Sequence, residues 1–164
     1  MSRIKRFRPF GVALILLSTL GVAGVQAQVS VEGAWTVAEW TVDGTTTSDV
    51  QRGIFIFTST HYSIFFVSQA EARAVPAQPG AGGMTDAEKV VAYDEFTANS
   101  GRYTVQGNTL TTAAYMAKNP GYMAGWPENQ VEYTVRREGD SLHLTFGNGN
   151  TVHLVRREGQ PAPG

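Results

Sequence analysis

Apolar and polar residues alternate with a period of two along most of the chain beyond residue 30, as in β-strands that bury one face. The pattern predicts eight short strands, at about residues 33–42, 51–58, 61–68, 101–106, 109–116, 130–138, 141–147 and 150–157. Gly or Asn separates several successive strands, as at Gly107-Asn108, Glu138-Gly139 and Gly147-Asn148-Gly149. Such residues suit tight turns, because hairpin turns need positive φ, and tight turns favour an antiparallel meander.

The last predicted hairpin has a preferred register. A three-residue loop at 147–149 places Leu144 opposite Val152 and Leu142 opposite Leu154. A two-residue loop at Asn148-Gly149 places Leu144 opposite His153 instead. Since a slip of one residue moves every apolar side chain to the other face of a strand, we expect the three-residue loop.

One segment breaks the β pattern. Thr85-Asp86-Ala87-Glu88 fits a capping box, with Thr85 as the N-cap and Glu88 bonding back to it. The segment predicts a helix over about residues 86–97, between the third and fourth predicted strands. A loop rich in Pro, Gly and Ala precedes it at 77–83.

The hairpin from Gly53 to Val67 is apolar on both faces. A turn from Thr58 to His61 places five side chains on one face, which we expect to line the interior: Phe55, Phe57, Tyr62, Ile64 and Phe66. The opposite face carries Ile54, Ile56, Phe65 and Val67. That face needs a cover, and the sequence offers the predicted helix or a second subunit.

The fold class follows from these elements. Eight antiparallel strands with one short helix predict an all-β, closed up-and-down β-barrel, because closure removes the exposed sheet edges. The interior of an eight-stranded barrel is wide enough to be filled by side chains or to hold one small ligand.

The N-terminal 27 residues have the pattern of a secretory signal peptide. A basic segment precedes the uncharged run 11–25, and Val25-Gln26-Ala27 is a small-x-small cleavage site. The run is shorter than the ~20 residues of a membrane span, and an uncleaved anchor is the alternative. The sequence therefore predicts a signal peptide at 1–27, a barrel domain at 28–158 and a flexible tail at 159–164. An exported protein, periplasmic or extracellular, is expected, with no stable membrane insertion after signal removal.

Charge and cysteine content narrow the classes of partner. Removing the predicted signal leaves nine basic and 14 acidic residues, a formal charge of −5. This excess of acid argues against nucleic acid or an anionic membrane surface as partners. The chain has no Cys, so its stability outside the cytoplasm must come from the core.

Several motifs resemble those of bacterial lipocalin-like domain proteins. They are Gly33-x-Trp35, the final "HLVRRE", "IFTSTHYSIFFV" at 56–67, "FTANSGRYTVQGNTLTT" at 96–112 and "AKNPGYM" at 117–123. The resemblance covers most of 30–157 and implies an eight-stranded antiparallel barrel in a secreted or periplasmic protein. The T-D-Y motif and disulfide of true lipocalins are absent. The resemblance also implies that Trp35 closes one end of the barrel and that Arg156 packs over it, Arg156 being preferred to Arg157 by strand parity.

Aromatic residues are the candidate ligand contacts. We expect an aromatic-rich interior that binds a small hydrophobic or amphipathic molecule, formed by Phe55, Phe57, Tyr62, Phe66, Tyr103 and Tyr133. Tyr115 has the opposite parity and is expected to face outward. Residues expected at the mouth or lid of the barrel are His61, Arg102, Lys118 and Trp126.

Motifs for other chemistry are missing from the sequence. It has no G-x-S-x-G elbow, no phosphate-binding loop and no Cys nucleophile. His143 and His153 are expected to face each other across the last hairpin, but spacing indicates no third metal ligand. We therefore predict no catalytic residue, metal or cofactor.

The leading hypothesis is a binding protein for a small, mostly apolar ligand. Two alternatives remain from the sequence. One is a barrel enzyme of the cyclase or isomerase type, and the other is a ligand-free interaction module that dimerises. Either a monomer or a homodimer is compatible with the pattern.

Overall fold

The computed structural model describes residues 28–48, 53–67, 73, 75 and 83–157 and contains one antiparallel sheet. Its elements, in chain order, are β1 (Gly33–Val42), β2 (Thr45–Thr47), β3 (Ile54–Phe57), β4 (His61–Val67), α1 (Asp86–Asp94), β5 (Phe96–Gln106), β6 (Thr109–Ala117), a 3-10 turn (Pro120–Tyr122), β7 (Gln130–Glu138), β8 (Ser141–Phe146) and β9 (Thr151–Arg156).

The sheet closes into a barrel. Strands β3 to β9 pair in chain order, and β1 pairs with β3 on one side and with β9 on the other. These eight strands form a closed antiparallel barrel, so the predicted fold class is confirmed. The predicted registers are also confirmed, since Phe57 pairs with Tyr62 and Leu144 with Val152.

A ninth strand, β2, was missing from the predicted set. It pairs only with the end of β1, through a turn in which Asp43 and Gly44 have φ of 49° and 79°. Asp-Gly with two positive φ values is typical of a tight hairpin turn. The period-two signal fails here because Thr45–Thr47 contains no apolar residue.

The predicted helix is correct at its start and too long at its end. The Thr85 hydroxyl accepts from the Glu88 N–H and the Glu88 carboxylate accepts from the Thr85 N–H, which is the expected capping box. The helix ends at Asp94, because Phe96 begins a strand that pairs with β4 from Val67 onward. Strand β5 therefore starts five residues before the predicted position, and the backbone hydrogen bonds to β4 outweigh the local helical pattern.

Of the two covers that the sequence offered for the second apolar face of the β3–β4 hairpin, the helix does not bury it. No residue of α1 is buried. Ile56 and Phe65 remain 37% and 40% exposed, and Phe65 stacks instead on Phe96 of β5, with ring centroids 6.4 Å apart. The face is thus only partly covered within the described residues.

The predicted signal peptide, most of the 77–83 loop and the tail lie outside the described residues. Among the described residues, no helix is long and apolar enough to cross a bilayer.

Candidate functional site

One end of the barrel is closed by Trp35. Its side chain is fully buried, and its indole N–H donates to the Val31 carbonyl oxygen at 2.8 Å. The Arg156 guanidinium carbon lies 4.6 Å from the Trp35 ring centroid, as the resemblance implied, and Arg137 lies at 5.5 Å. Arg156 also forms an ion pair with Asp140 at 3.4 Å. The sequence reasoning missed Arg137, which is the second cation over this ring.

The barrel interior contains a cavity of about 260 Å³ toward the opposite end. This volume is slightly below the ~300–1,000 Å³ usual for ligand pockets, so it suits a small molecule. Strands β3 to β8 and the loop after β6 contribute its lining: Phe55, Phe57, Ile64, Phe66, Thr97, Ala98, Asn99, Leu110, Thr112, Ala117, Lys118, Asn119, Tyr122, Tyr133, Leu144 and Phe146.

Aromatic rings form much of the cavity wall. Phe55 and Phe66 stack with centroids 6.0 Å apart, and Tyr133 meets the edge of Phe146 at 4.9 Å. Trp40 packs against both Phe66 and Phe146, at 5.0 and 5.2 Å. These edge-to-face and stacked contacts hold the rings in defined orientations, so the wall is largely preformed.

The polar part of the lining consists mainly of hydroxyl groups. The Tyr122 and Tyr133 hydroxyl oxygens lie 3.2 Å apart, and the Thr112 hydroxyl donates to the Val131 carbonyl oxygen at 3.4 Å. Burial raises the pKa of Tyr133, and the nearby Tyr122 raises it further. Tyr133 is therefore a protonated phenol at neutral pH.

The rim of the cavity is tied to α1. The Tyr93 hydroxyl donates to the Lys118 carbonyl oxygen at 2.8 Å, and the Lys118 ammonium donates to the Tyr93 carbonyl oxygen. The Lys118 nitrogen also lies 4.3 Å from the Tyr93 ring centroid. The Asn129 side-chain amide bonds to the Ala114 and Tyr122 carbonyl oxygens and holds the loop that carries Tyr122.

The six predicted ligand contacts divide into two groups. Four of them, Phe55, Phe57, Phe66 and Tyr133, line the cavity. Tyr62 is 1% exposed but does not line it. The Tyr103 ring contacts the Phe57 ring edge-to-face, with centroids 5.3 Å apart, and its hydroxyl donates to the Thr58 carbonyl oxygen. Tyr103 therefore supports the cavity wall from outside the lining.

The four residues predicted at the mouth of the barrel lie in two different places. Lys118 lies at the rim of the cavity. The other three, His61, Arg102 and Trp126, line a shallower groove of about 470 Å³. Arg102 pairs with His61 and Ala113 on the outward side of the sheet, since the neighbouring Gly101 and Ala114 are buried. Tyr115, 45% exposed, faces outward as expected and meets the Trp126 edge at 6.5 Å.

Several lining residues were not singled out from the sequence. Leu144 and Phe146 share the parity of Leu142 on β8, so the period-two pattern carries a signal for them. Leu110 has the same kind of signal on β6. Residues 97–99 were hidden because the predicted helix extended to residue 97 and the next predicted strand began only at residue 101.

The described residues that line the cavity include no carboxylate and no imidazole. Within the described part of the chain, no three His, Asp or Glu side chains are arranged to hold a metal. His143 and His153 do face each other, with parallel rings 4.4 Å apart, and Glu39 lies 3.6 Å from His153.

Known proteins with a related fold come from Bacteroides. The structure resembles a lipocalin-like protein from Bacteroides uniformis, with 18% identity, a TM-score of 0.47, and coverage of 77% of this chain and 97% of that one. It also resembles an uncharacterized protein from Bacteroides eggerthii, with 11% identity, a TM-score of 0.46, and coverage of 77% and 98%. No family model and no curated protein matches the sequence. The fold class itself, a closed eight-stranded antiparallel barrel with one short helix, follows from the strand pairing described above.

Proposed function

We propose that this protein is an exported binding protein that holds one small, mostly apolar molecule inside its barrel. The observation that carries the proposal is the interior cavity of about 260 Å³ with its aromatic wall. Burying an apolar ligand there stabilises the complex by roughly 25 cal/mol per Å² of apolar area removed from water, before the cost of association. The signal-like N-terminus supports export.

The shape of the barrel supports this assignment. Trp35 and the two arginines above it close one end, while the loop after β6 borders the cavity near the other. The rim residues Asn119 and Tyr122 are exposed to solvent. A ligand therefore has an entrance on the side of this loop and a hydrophobic interior beyond it.

Native mass spectrometry of the chain from Gln28 onward, purified gently from its own host, tests whether a ligand is present. We expect additional mass that dissociates on activation. A bare protein that also fails to bind cumene (isopropylbenzene) in an NMR titration contradicts the proposal and favours a filled barrel.

A matched pair of variants tests where the ligand binds. Ala117 lines the cavity and Ala113 lines the outer groove, and both lie half-buried on β6. Ala117→Phe adds a ring at the cavity and should weaken cumene binding at least tenfold. Ala113→Phe should leave cumene binding unchanged. The reverse result places the ligand in the groove and contradicts interior binding.

A further inference from the structure

A group of buried hydroxyls stands out against the apolar cavity wall. Tyr62 and Thr112 are each 1% exposed, and Tyr133 is 6% exposed. Thr112 and Tyr133 line the cavity together with Tyr122. Burying a hydroxyl without a hydrogen-bond partner costs free energy of folding, so buried hydroxyls normally have partners.

The backbone pairing brings these side chains to one region of the interior. Tyr62 on β4 pairs with Gly101 on β5, and Gly101 pairs with Ala114 on β6. Both neighbours bring little or no side chain to the inner face beside the Tyr62 ring. Thr112 lies two residues from Ala114 on the same inward side of β6 and pairs with Val131, two residues from Tyr133.

The hydrogen bonds within the group are incomplete. The buried Tyr62 hydroxyl has no hydrogen-bond partner of acceptable geometry among the described residues. In the Tyr122–Tyr133 pair one phenol donates to the other, so one proton remains available to a third group. The Thr112 hydroxyl donates its proton to the Val131 carbonyl oxygen, at 3.4 Å, so the free donors are Tyr62 and one phenol of the pair. The group thus has more donors than it satisfies internally.

The protonation states favour donation. Burial raises the pKa of Tyr62 to about 12 and that of Tyr133 as well, with the Thr112 hydroxyl opposing both shifts. Both phenols therefore keep their protons at neutral pH and present O–H donors in a site of low dielectric constant. A hydrogen bond formed there is stronger than one in water.

The charges around the cavity disfavour an anion beside the phenols. Of the described residues that line the cavity, Lys118 alone is charged, and its ammonium donates to the Tyr93 carbonyl oxygen at the rim, away from the phenols. A carboxylate placed among the phenols would lose its hydration without gaining a cation. An uncharged carbonyl oxygen accepts hydrogen bonds without that cost.

We propose that the cavity selects uncharged apolar molecules that carry a carbonyl oxygen, and that the proton left free in the Tyr122–Tyr133 pair donates a hydrogen bond to this oxygen. The inference rests on the proposed function and specifies its ligand class.

Three probes with nine non-hydrogen atoms each separate the possibilities: acetophenone, cumene and benzoate. Acetophenone and cumene differ by a carbonyl oxygen in place of a methyl group, and benzoate carries a charge. We expect NMR titrations of the full barrel to give a Kd for acetophenone about fivefold to tenfold lower than that for cumene, as one added hydrogen bond predicts.

Variants assign the effect to the hydroxyls. Tyr133→Phe and, at the more exposed position, Tyr122→Phe should each reduce the preference for acetophenone while leaving cumene binding within about twofold. The exposed Tyr115→Phe is the control, because its hydroxyl faces outward, and it should retain the full preference. A thermal melt of each variant shows that the barrel is folded, and Tyr122→Phe keeps the test decisive if Tyr133→Phe does not fold.

Each failure has a distinct meaning. If cumene binds as tightly as acetophenone, the carbonyl inference is wrong and the proposed binding function stands. If benzoate binds most tightly, charge dominates selection and the inference is also wrong. If none of the three binds, both the inference and the proposed function are contradicted.

Discussion

The α-carbon of Gly101 lies against the backbone of Ala113, at the point where the β5–β6 register shifts between Ser100 and Gly101. A Cβ at residue 101 would overlap the Ala113 carbonyl oxygen and stand 2.8 Å from the Ala114 α-carbon. Real Cβ atoms do not approach backbone so closely. The two strands can therefore adopt this spacing only with glycine at 101.

Gly101→Ala should lower the free energy of unfolding by about 1–3 kcal/mol or more, because two backbones must separate to admit the methyl group. Gly147→Ala is the matched control, since nothing lies within 4 Å of its Cβ position, and it should change stability by less than about 0.5 kcal/mol. Urea denaturation measures both. Equal effects would show that the close approach at Gly101 does not constrain the barrel.

Arg156 should contribute to stability through Trp35. Arg156→Ala removes the guanidinium from the indole and leaves Asp140 without its ion pair, so we expect a loss of about 0.5–2 kcal/mol. Arg136→Ala, whose side chain is 57% exposed and pairs with Glu138, should cost less than about 0.5 kcal/mol. Chemical denaturation compares the two.

The position of Arg156 at the closed end gives a second readout for the same variant. Because Arg156 does not line the cavity, Arg156→Ala should leave cumene binding unchanged. A large loss of binding with unchanged stability would assign Arg156 to the ligand site and not to closure of the barrel.

Tyr62 should make the fold sensitive to alkali. Its pKa is raised by burial from 10.0 to about 12, so between these values the unfolded chain loses a proton that the folded chain retains. The free energy of unfolding should therefore fall by about 1.4 kcal/mol per pH unit between pH 10 and pH 12 from this group alone. Tyr133 has a raised pKa and adds to the decline.

Tyr62→Phe should flatten that decline, and urea denaturation at a series of alkaline pH values measures it. Tyr115→Phe, at an exposed phenol, should leave the slope as in the parent protein. Identical slopes for the parent and Tyr62→Phe would mean that burial does not raise the pKa of Tyr62.

His143 should make the fold sensitive to mild acid. Burial lowers its pKa from 6.5, and His153 and Arg136 lower it further, while Glu39 opposes the shift. Glu138 lies 3.9 Å from the ring. Below pH 6.5, His143 binds a proton in the unfolded chain but stays neutral in the folded chain. The free energy of unfolding therefore falls as the pH drops from 6.5 to the lowered pKa, and it levels off below that pKa.

His143→Gln should remove most of this acid dependence, as followed by denaturation between neutral and mildly acidic pH. His61→Gln is the control, because His61 lies on β4, which is not adjacent to β7, β8 or β9. If the acid dependence survives His143→Gln unchanged, it comes from other groups.

Much of the barrel could be predicted because strand periodicity and turn chemistry are local. Phe57 opposite Tyr62 and Leu144 opposite Val152 follow from alternation plus a turn of known length, and both pairs occur. The capping box at Thr85 and Glu88 is equally local, and it forms as expected.

The errors lie where distant strands compete with local preference. Phe96 continues the helical pattern of α1, yet it pairs with Val67, which is distant in sequence. The helix was one of two covers predicted for the second face of the β3–β4 hairpin, the other being a second subunit, but the longer β5 puts Phe96 beside Phe65. Neither result can be predicted from a short stretch of sequence, because each depends on which distant strand pairs with the residues concerned.

The sequence by itself determined the strand alternation, the turns, the helix start and the inward parity of the aromatic residues. Only the tertiary structure decided which of those residues share a cavity. Closure of β1 on β9 sets the curvature of the sheet, and that curvature brings Phe55, Phe66 and Tyr133 around one space while it leaves Tyr62 outside the lining. Parity selects the face of a strand, but the distance across a barrel depends on every strand in it.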